Sequence, residues 1–101
     1  MPTPERSDVI ASLYAVIDVL NEQLPKDRKL EKSPELALVG PDSAIDSLML
    51  INLVVETEGR IAEKFGCEVM LVDLLGLPPQ NNPFRTLGTL ADDLVMRLAA
   101  T

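Results

Sequence analysis

Few residues in this chain can do chemistry, and the most exposed to question is Ser47. It stands between Asp46 and Leu48, where the turn-rich stretch Gly40-Pro41-Asp42-Ser43 gives way to an apolar run. A serine at a helix start lies beside unpaired backbone N–H groups and the positive end of the helix dipole. Such a place stabilises an anion such as a phosphate ester. The plain alternative is that Asp46 or Ser47 only caps the helix.

What is absent narrows the chemistry. The chain has no histidine, so a Ser-His-Asp triad and the imidazole general base are excluded. Cys67 is the single cysteine. It cannot form an internal disulfide or a Cys-His zinc site, and beside Phe65, Val69 and Met70 it reads as a buried structural thiol. A Ser-Lys dyad would need Lys64, far along the chain from Ser47, or a lysine of the 26–32 stretch. The protein is therefore expected not to be an enzyme and to bind no metal.

The elements that must hold Ser47 follow from apolar spacing. The 101 residues make one domain, 1–101, with 1–6 as a frayed arm containing Pro2 and Pro4. Ser7 is placed to cap a first helix, with Asp8 in its first turn. Val9, Leu13, Ile17, Leu20 and Leu24 form its buried stripe, and Pro25 ends it. Residues 25–45 read as a long loop. It carries the cations Lys26, Arg28, Lys29 and Lys32, and is pinned by Leu30, Leu36, Leu38 and Val39, with one helical turn after Ser33-Pro34 allowed. The second helix begins at Asp46 or Ser47 and runs to Phe65, with Ile51, Val54, Ile61 and Phe65 at helical spacing and Gly66 as its cap. Gly59 marks a bend or a close helix contact.

Glu68–Leu75 is ambiguous between a short helix and an extended piece; as a helix it would align Leu71, Leu74 and Leu75. Residues 76–83 are loop. Thr86 caps a last helix with Leu87, Leu90, Leu94 and Leu98 inside, Asp92 and Asp93 facing away and Arg97 near its end. Its capping box reads as incomplete, because Thr89 replaces Glu or Gln. The sum is an all-α fold: a small four-helix bundle of three main helices and a short third one.

Sixteen acidic and nine basic side chains give a net charge of −7, which opposes nucleic-acid binding and suits basic partner surfaces. No apolar run reaches membrane-span length and no signal-peptide core is present, so a cytosolic protein is expected.

With these residues in place, the chain resembles the acyl carrier protein family over nearly its whole length. Asp46-Ser47-Leu48 is similar to that family's Asp-Ser-Leu motif at the start of its second helix. Leu50–Glu56 resembles its recognition helix, Ile61–Gly66 its usual ending, and Phe84–Ala91 the threonine-led start of its last helix. The resemblance implies 4′-phosphopantetheine attached at Ser47, delivered from coenzyme A by a phosphopantetheinyl transferase. The arm's thiol would carry acyl groups between the enzymes of fatty acid, lipid or related biosynthesis. It also implies a monomer, and a partner face of Asp46, Leu48, Met49, Asn52 and Glu56. Four departures stand out. Ala44 replaces a common glycine, and Met49 and Asn52 replace common acids. The second helix is about one turn longer, and the 76–83 loop is extended. Glu56 and Glu58 retain some acidity. These departures suit a specialised carrier and leave open an aminoacyl or peptidyl carrier, or a helical interaction module that carries nothing, with Ser47 as a cap and Leu48, Met49 and Val55 as its docking face. Met49, Met70, Leu74 and Leu75 are candidates to line an opening for an acyl chain, against the alternative of an ordinary core.

Overall fold

In a computed structural model the described residues are 5–40, 43 and 45–100. Three α-helices make the body: α1 (Arg6–Asn21), α2 (Ser47–Phe65) and α3 (Leu87–Ala99). Four 3-10 turns lie between them: η1 (Lys26–Arg28), η2 (Val72–Gly76), η3 (Pro79–Asn81) and η4 (Pro83–Arg85). Among the described residues no strand forms; Ala37 and Thr86 make one isolated antiparallel bridge.

Helix α1 is the central element, packed against both α2 and α3. Its expected stripe is buried through Val9, Leu13, Ile17 and Leu20, widened by Ser12 and Val16. Both ends differ from expectation. The N-cap is Glu5, so Ser7 lies inside the first turn. Arg6 is the first residue of the helix, and its guanidinium pairs with Asp92 of α3 at 2.6 Å. Residues 1–4 of the expected arm lie outside the described residues. At the other end Asn21 is the last helical residue, and Leu24 follows in a turn where it packs against the core from outside the helix.

The long connection is held down by hydrogen bonds that apolar spacing does not announce. The Asn21 amide donates to Leu30 O at 3.0 Å and accepts from Leu30 N at 2.7 Å. This seats Leu30 in the core, with Leu38 fully buried and Leu36 and Val39 packed beside them. After Ser33 the chain makes one turn, Leu36 N–H donating to Ser33 O. Pro34–Leu38 then runs along the start of α3. Leu87 N–H donates to Leu36 O at 2.9 Å, Gly88 N–H to Pro34 O at 2.7 Å, and Leu38 N–H to Arg85 O at 3.2 Å. The first N–H groups of α3, which no helix can satisfy internally, thus go to loop carbonyls.

The next of these N–H groups, on Thr89, donates to Thr86 Oγ1 at 3.1 Å, and Thr86 N–H donates to Thr89 Oγ1 at 3.0 Å. The capping box is closed after all. A threonine hydroxyl suffices here because it lies close enough to accept, and it also donates to Pro83 O. Leu87, Leu90, Leu94 and Leu98 are buried as expected. Asp93 is less outward than expected: its side chain is 20% exposed and pairs with Arg97 one turn on.

The short third helix of a four-helix bundle does not form as an α-helix. Val69 and Leu71 are buried, whereas Met70 and Val72 are exposed. Residues 67–71 form no regular element, and Leu71, with αR angles, only leads into the turn that follows. Only Val72–Gly76 coils, as the 3-10 turn η2, which packs on η4. Glu58 of α2 fixes the segment by accepting Leu71 N–H at 2.7 Å. The 76–83 loop is organised by buried Asn82, which donates to Leu75 O and Leu77 O and accepts from Phe84 N. Phe84 is thereby set fully inside the core.

Candidate functional site

Helix α2 starts at Ser47 with Asp46 as its N-cap. Asp46 is extended (φ −82°, ψ 173°), and its carboxylate accepts from Met49 N–H at 2.8 Å. Its own carbonyl accepts from Leu50 N–H at 2.9 Å. The approach to the cap is fixed by Ser43, whose hydroxyl donates to Leu38 O and accepts from Ile45 N–H, both at 3.0 Å. Ser43 N–H donates to Gly40 O, and Gly40 has the positive φ of 98° that favours glycine. Pro41, Asp42 and Ala44, the rest of the expected turn and the glycine departure, lie outside the described residues. Ile45 and Leu50, which flank the cap as the two halves of a hydrophobic staple, both pack against the core.

The two local readings of this junction therefore separate. Capping falls to Asp46. Ser47 is exposed, and among the described residues its hydroxyl has no hydrogen-bond partner. Its Oγ is open to a second molecule at the positive end of a 19-residue helix. After Asp46 the first turn of α2 holds no acidic side chain.

The expected partner residues divide. Asp46, Leu48 and Asn52 are exposed, Leu48 at 70%, and Glu56 is half-buried. Met49 turns partly inward against the core. It lines a groove of about 360 Å³ with Leu24, Asp27, Arg28 and Asp46. Asn52 and Glu56 line another groove with Val19, Leu20, Gln23 and Val55.

Two residues join the exposed face: Ile51, which apolar spacing had placed inside, and Val55, which the interaction-module alternative had placed on a docking face. Ile51, expected in the buried stripe, is 50% exposed, and Val55 is 60% exposed. The buried side of α2 is Leu53, Val54, Thr57 and Ile61. Leu48, Ile51 and Val55, at spacings of three and four, make an outward apolar stripe starting beside Ser47. The stretch 48–55, apolar except for Asn52, contains both faces, and its periodicity does not say which one is covered. The signal that could have helped is Thr57, whose place continues the Leu53–Ile61 row rather than the Ile51 row.

Glu58 is withdrawn from the acidic surface by its bond to Leu71 N–H. Even so, no Lys or Arg occurs in 33–59 or 66–84, the segments that carry the α2 stripe and the exposed Met70 and Val72. Of the residues considered for an acyl opening, Met49, Leu74 and Leu75 pack against the core, and Met70 faces out at 66% exposure. Cys67 is half-buried rather than fully enclosed.

Gly59 has no close neighbour: a Cβ built there meets nothing within 4 Å. The glycine that does mark a close approach is Gly88. A Cβ there would lie 3.0 Å from Pro34 O and 3.1 Å from an Arg6 guanidinium nitrogen.

Among the described residues no group of three or more Cys, Asp or Glu is placed to hold a metal ion, and no helix is long and apolar enough to cross a membrane. No family model matches the chain, and neither a curated protein nor a solved structure matches it. The likeness to acyl carrier proteins rests on Asp46-Ser47-Leu48 and the elements around it.

Proposed function

We propose that this chain is a specialised acyl carrier protein, cytoplasmic and monomeric, with Ser47 as the attachment point for 4′-phosphopantetheine. The observation that carries the reading is the division of work at the start of α2. Asp46 makes the cap, and the adjacent Ser47 hydroxyl stays exposed and unbonded. A residue needed only for capping would bond its own helix.

The chemistry belongs to a separate phosphopantetheinyl transferase using coenzyme A and Mg²⁺. Ser47 Oγ attacks the phosphorus that bears the pantetheine arm. The pyrophosphate P–O bond breaks, 3′,5′-ADP leaves, and the serine proton passes to the enzyme's base. The product is a phosphodiester at the positive end of α2, where the helix dipole favours its charge. The arm's thiol then carries an acyl group as a thioester between partner enzymes of fatty acid, lipid or related biosynthesis. An aminoacyl or peptidyl cargo uses the same attachment.

A second reading is favoured by the exposed Leu48–Ile51–Val55 stripe: a helical interaction module in which α2 docks and Ser47 stays unmodified. Intact-mass measurement separates the two. Incubation with coenzyme A, Mg²⁺ and a broad-specificity transferase is expected to add one phosphopantetheinyl group to the wild type and none to Ser47→Ala. No gain on the wild type, under conditions that modify a control carrier, overturns the carrier reading.

A further inference from the structure

At the far end of α2 from Ser47, Arg60 has a charge that nothing in the fold uses. Its Nε–H is buried and has no hydrogen-bond partner. Among the described residues its side chain makes no ion pair. Glu56 lies four residues before it and Glu63 three after, the spacings at which helical pairs form, yet neither pairs with it. Lys64, one turn on, is also without an ion pair among the described residues; its Nζ lies 5.7 Å from the centre of the Phe65 ring. Like charges four residues apart on a helix repel each other.

Both cations line a groove between α1 and α2. Helix α2 contributes Arg60, Glu63 and Lys64, and α1 contributes Ala11, Ser12 and Ala15. Where two cations serve only the fold, the neighbouring helix is expected to answer them with acids. Here it answers with two alanines and a serine, whose hydroxyl already donates to Asp8 O at 3.2 Å. The short side chains leave about 400 Å³ open, within the range of small-molecule sites. The groove therefore combines room with an excess of positive charge, in a chain whose net charge is −7.

We infer that this groove binds a small oxyanion, a phosphate or carboxylate group, through Arg60 and Lys64. The planar guanidinium matches either group. Its buried Nε–H shows that the side chain is already packed into the seam, so binding costs it little freedom. Lys64 supplies the second charge. The Ser12 oxygen keeps a lone pair for a hydroxyl or N–H elsewhere on the ligand. Asp8, four residues before Ser12, and Glu56, four before Arg60, flank the groove with negative charge. They exclude an extended polyanion and leave a small one. Arg60 lies about 20 Å along α2 from Ser47 at 1.5 Å per residue, so the site is separate from the attachment point and does not rest on the carrier reading. A bound oxyanion ties α1 to α2 and stabilises the folded chain by mass action.

The test follows the backbone amide and arginine Nε–Hε NMR signals of the full chain during titration with inorganic phosphate and, separately, with succinate. Chloride holds the ionic strength constant. Saturable shifts at Ala11, Ser12, Ala15, Arg60 and Lys64 are expected from at least one probe, and the tighter probe names the preferred group. Arg60→Gln and Lys64→Gln are each expected to weaken binding about tenfold or more, the loss of a hydrogen bond to a charged group. Ala11→Leu keeps both cations and fills the groove from an exposed helical position, so it is expected to fold and to weaken binding as well. Shifts that never saturate with either probe, or that centre on the Lys26–Lys32 loop, overturn the inference. So does an Ala11→Leu chain that binds as the wild type does. If Arg60→Gln fails to fold, Lys64→Gln and Ala11→Leu, both at exposed positions, still decide the matter.

Discussion

Replacing Asp46 and Ser47 one at a time asks directly which of them serves the helix. The Asp46 carboxylate accepts Met49 N–H at 2.8 Å, so Asp46→Ala removes the side-chain cap of α2. Removing such a cap costs about 1 kcal/mol, within a range of roughly 0.5–2. For a domain of this size, 1 kcal/mol moves Tm by about 4–8 °C, so Asp46→Ala is expected to melt several degrees lower. Asp46→Asn keeps an acceptor at the same place and loses only the charge near the helix start, an effect of about 0.3–1 kcal/mol at an exposed position. Ser47→Ala removes a hydroxyl that bonds nothing among the described residues, and its change is expected to stay within about 0.5 kcal/mol. Thermal unfolding followed by far-ultraviolet circular dichroism gives the order: wild type and Ser47→Ala together, then Asp46→Asn, then Asp46→Ala. A Ser47→Ala variant that falls as far as Asp46→Ala would refute the reasoning, because the cap would then belong to Ser47 and its exposure would need no function.

The same substitution at two glycines is expected to act in opposite directions. Gly59→Ala adds a methyl to an open, exposed position inside α2 and should raise stability by about 1 kcal/mol through helix propensity; Gly88→Ala sets a methyl against Pro34 O and Arg6 and should lower it by about 1–3 kcal/mol, as overpacking does. Chemical denaturation of the pair checks this, and a stabilised Gly88→Ala would mean that the Pro34 segment yields freely. Glu58→Ala leaves the Leu71 N–H without its carboxylate and is expected to cost about 1.5–3 kcal/mol; hydrogen exchange should show Leu71 losing protection, and an unchanged Leu71 amide would show that the bond does not hold the segment.

What the sequence made legible here is what periodicity encodes. The α1 and α3 stripes, the start and end of α2 and the Thr86 cap all follow from apolar spacing and cap chemistry. What it hid are bonds between side chains and distant backbone. Nothing near Asn21 in sequence marks it as the partner of Leu30, and nothing near Glu58 points to Leu71. The same blindness explains the third helix. Leu71, Leu74 and Leu75 fit a helical face, but residues 67–71 stay irregular, with Val69 and Leu71 buried on either side of exposed Met70 and Leu71 N–H held by Glu58. Thr89 closing the capping box shows a rule stated too narrowly: the box needs an acceptor in reach of the cap N–H, and the short Thr89 hydroxyl is in reach. Ile51 shows the limit of spacing inside a stretch that is apolar but for Asn52, where more than one face looks buried. At Ser47 itself, the type and place of the residue were legible, and the role left to it was decided only by the atom that Met49 N–H chose.

That choice bears on how a loop-to-helix junction can serve as a site at all. A side chain presented to another molecule must be accessible, yet the backbone beneath it must not fray. Here the two demands fall on neighbouring residues. The chain before the cap is held by Ser43 on Leu38, Leu38 by Arg85, and Arg85 by the turn that Asn82 builds before α3. The far helix is thus linked to the chain before Ser47 through a run of side-chain and backbone hydrogen bonds, while the Ser47 hydroxyl takes no part in them. Exposure without structural duty is ordinary for a surface serine. Exposure at a helix start, beside a residue that has taken over the cap and below a stripe of uncovered Leu48, Ile51 and Val55, is the arrangement expected where the reaction is brought by a partner and the protein only holds the oxygen still.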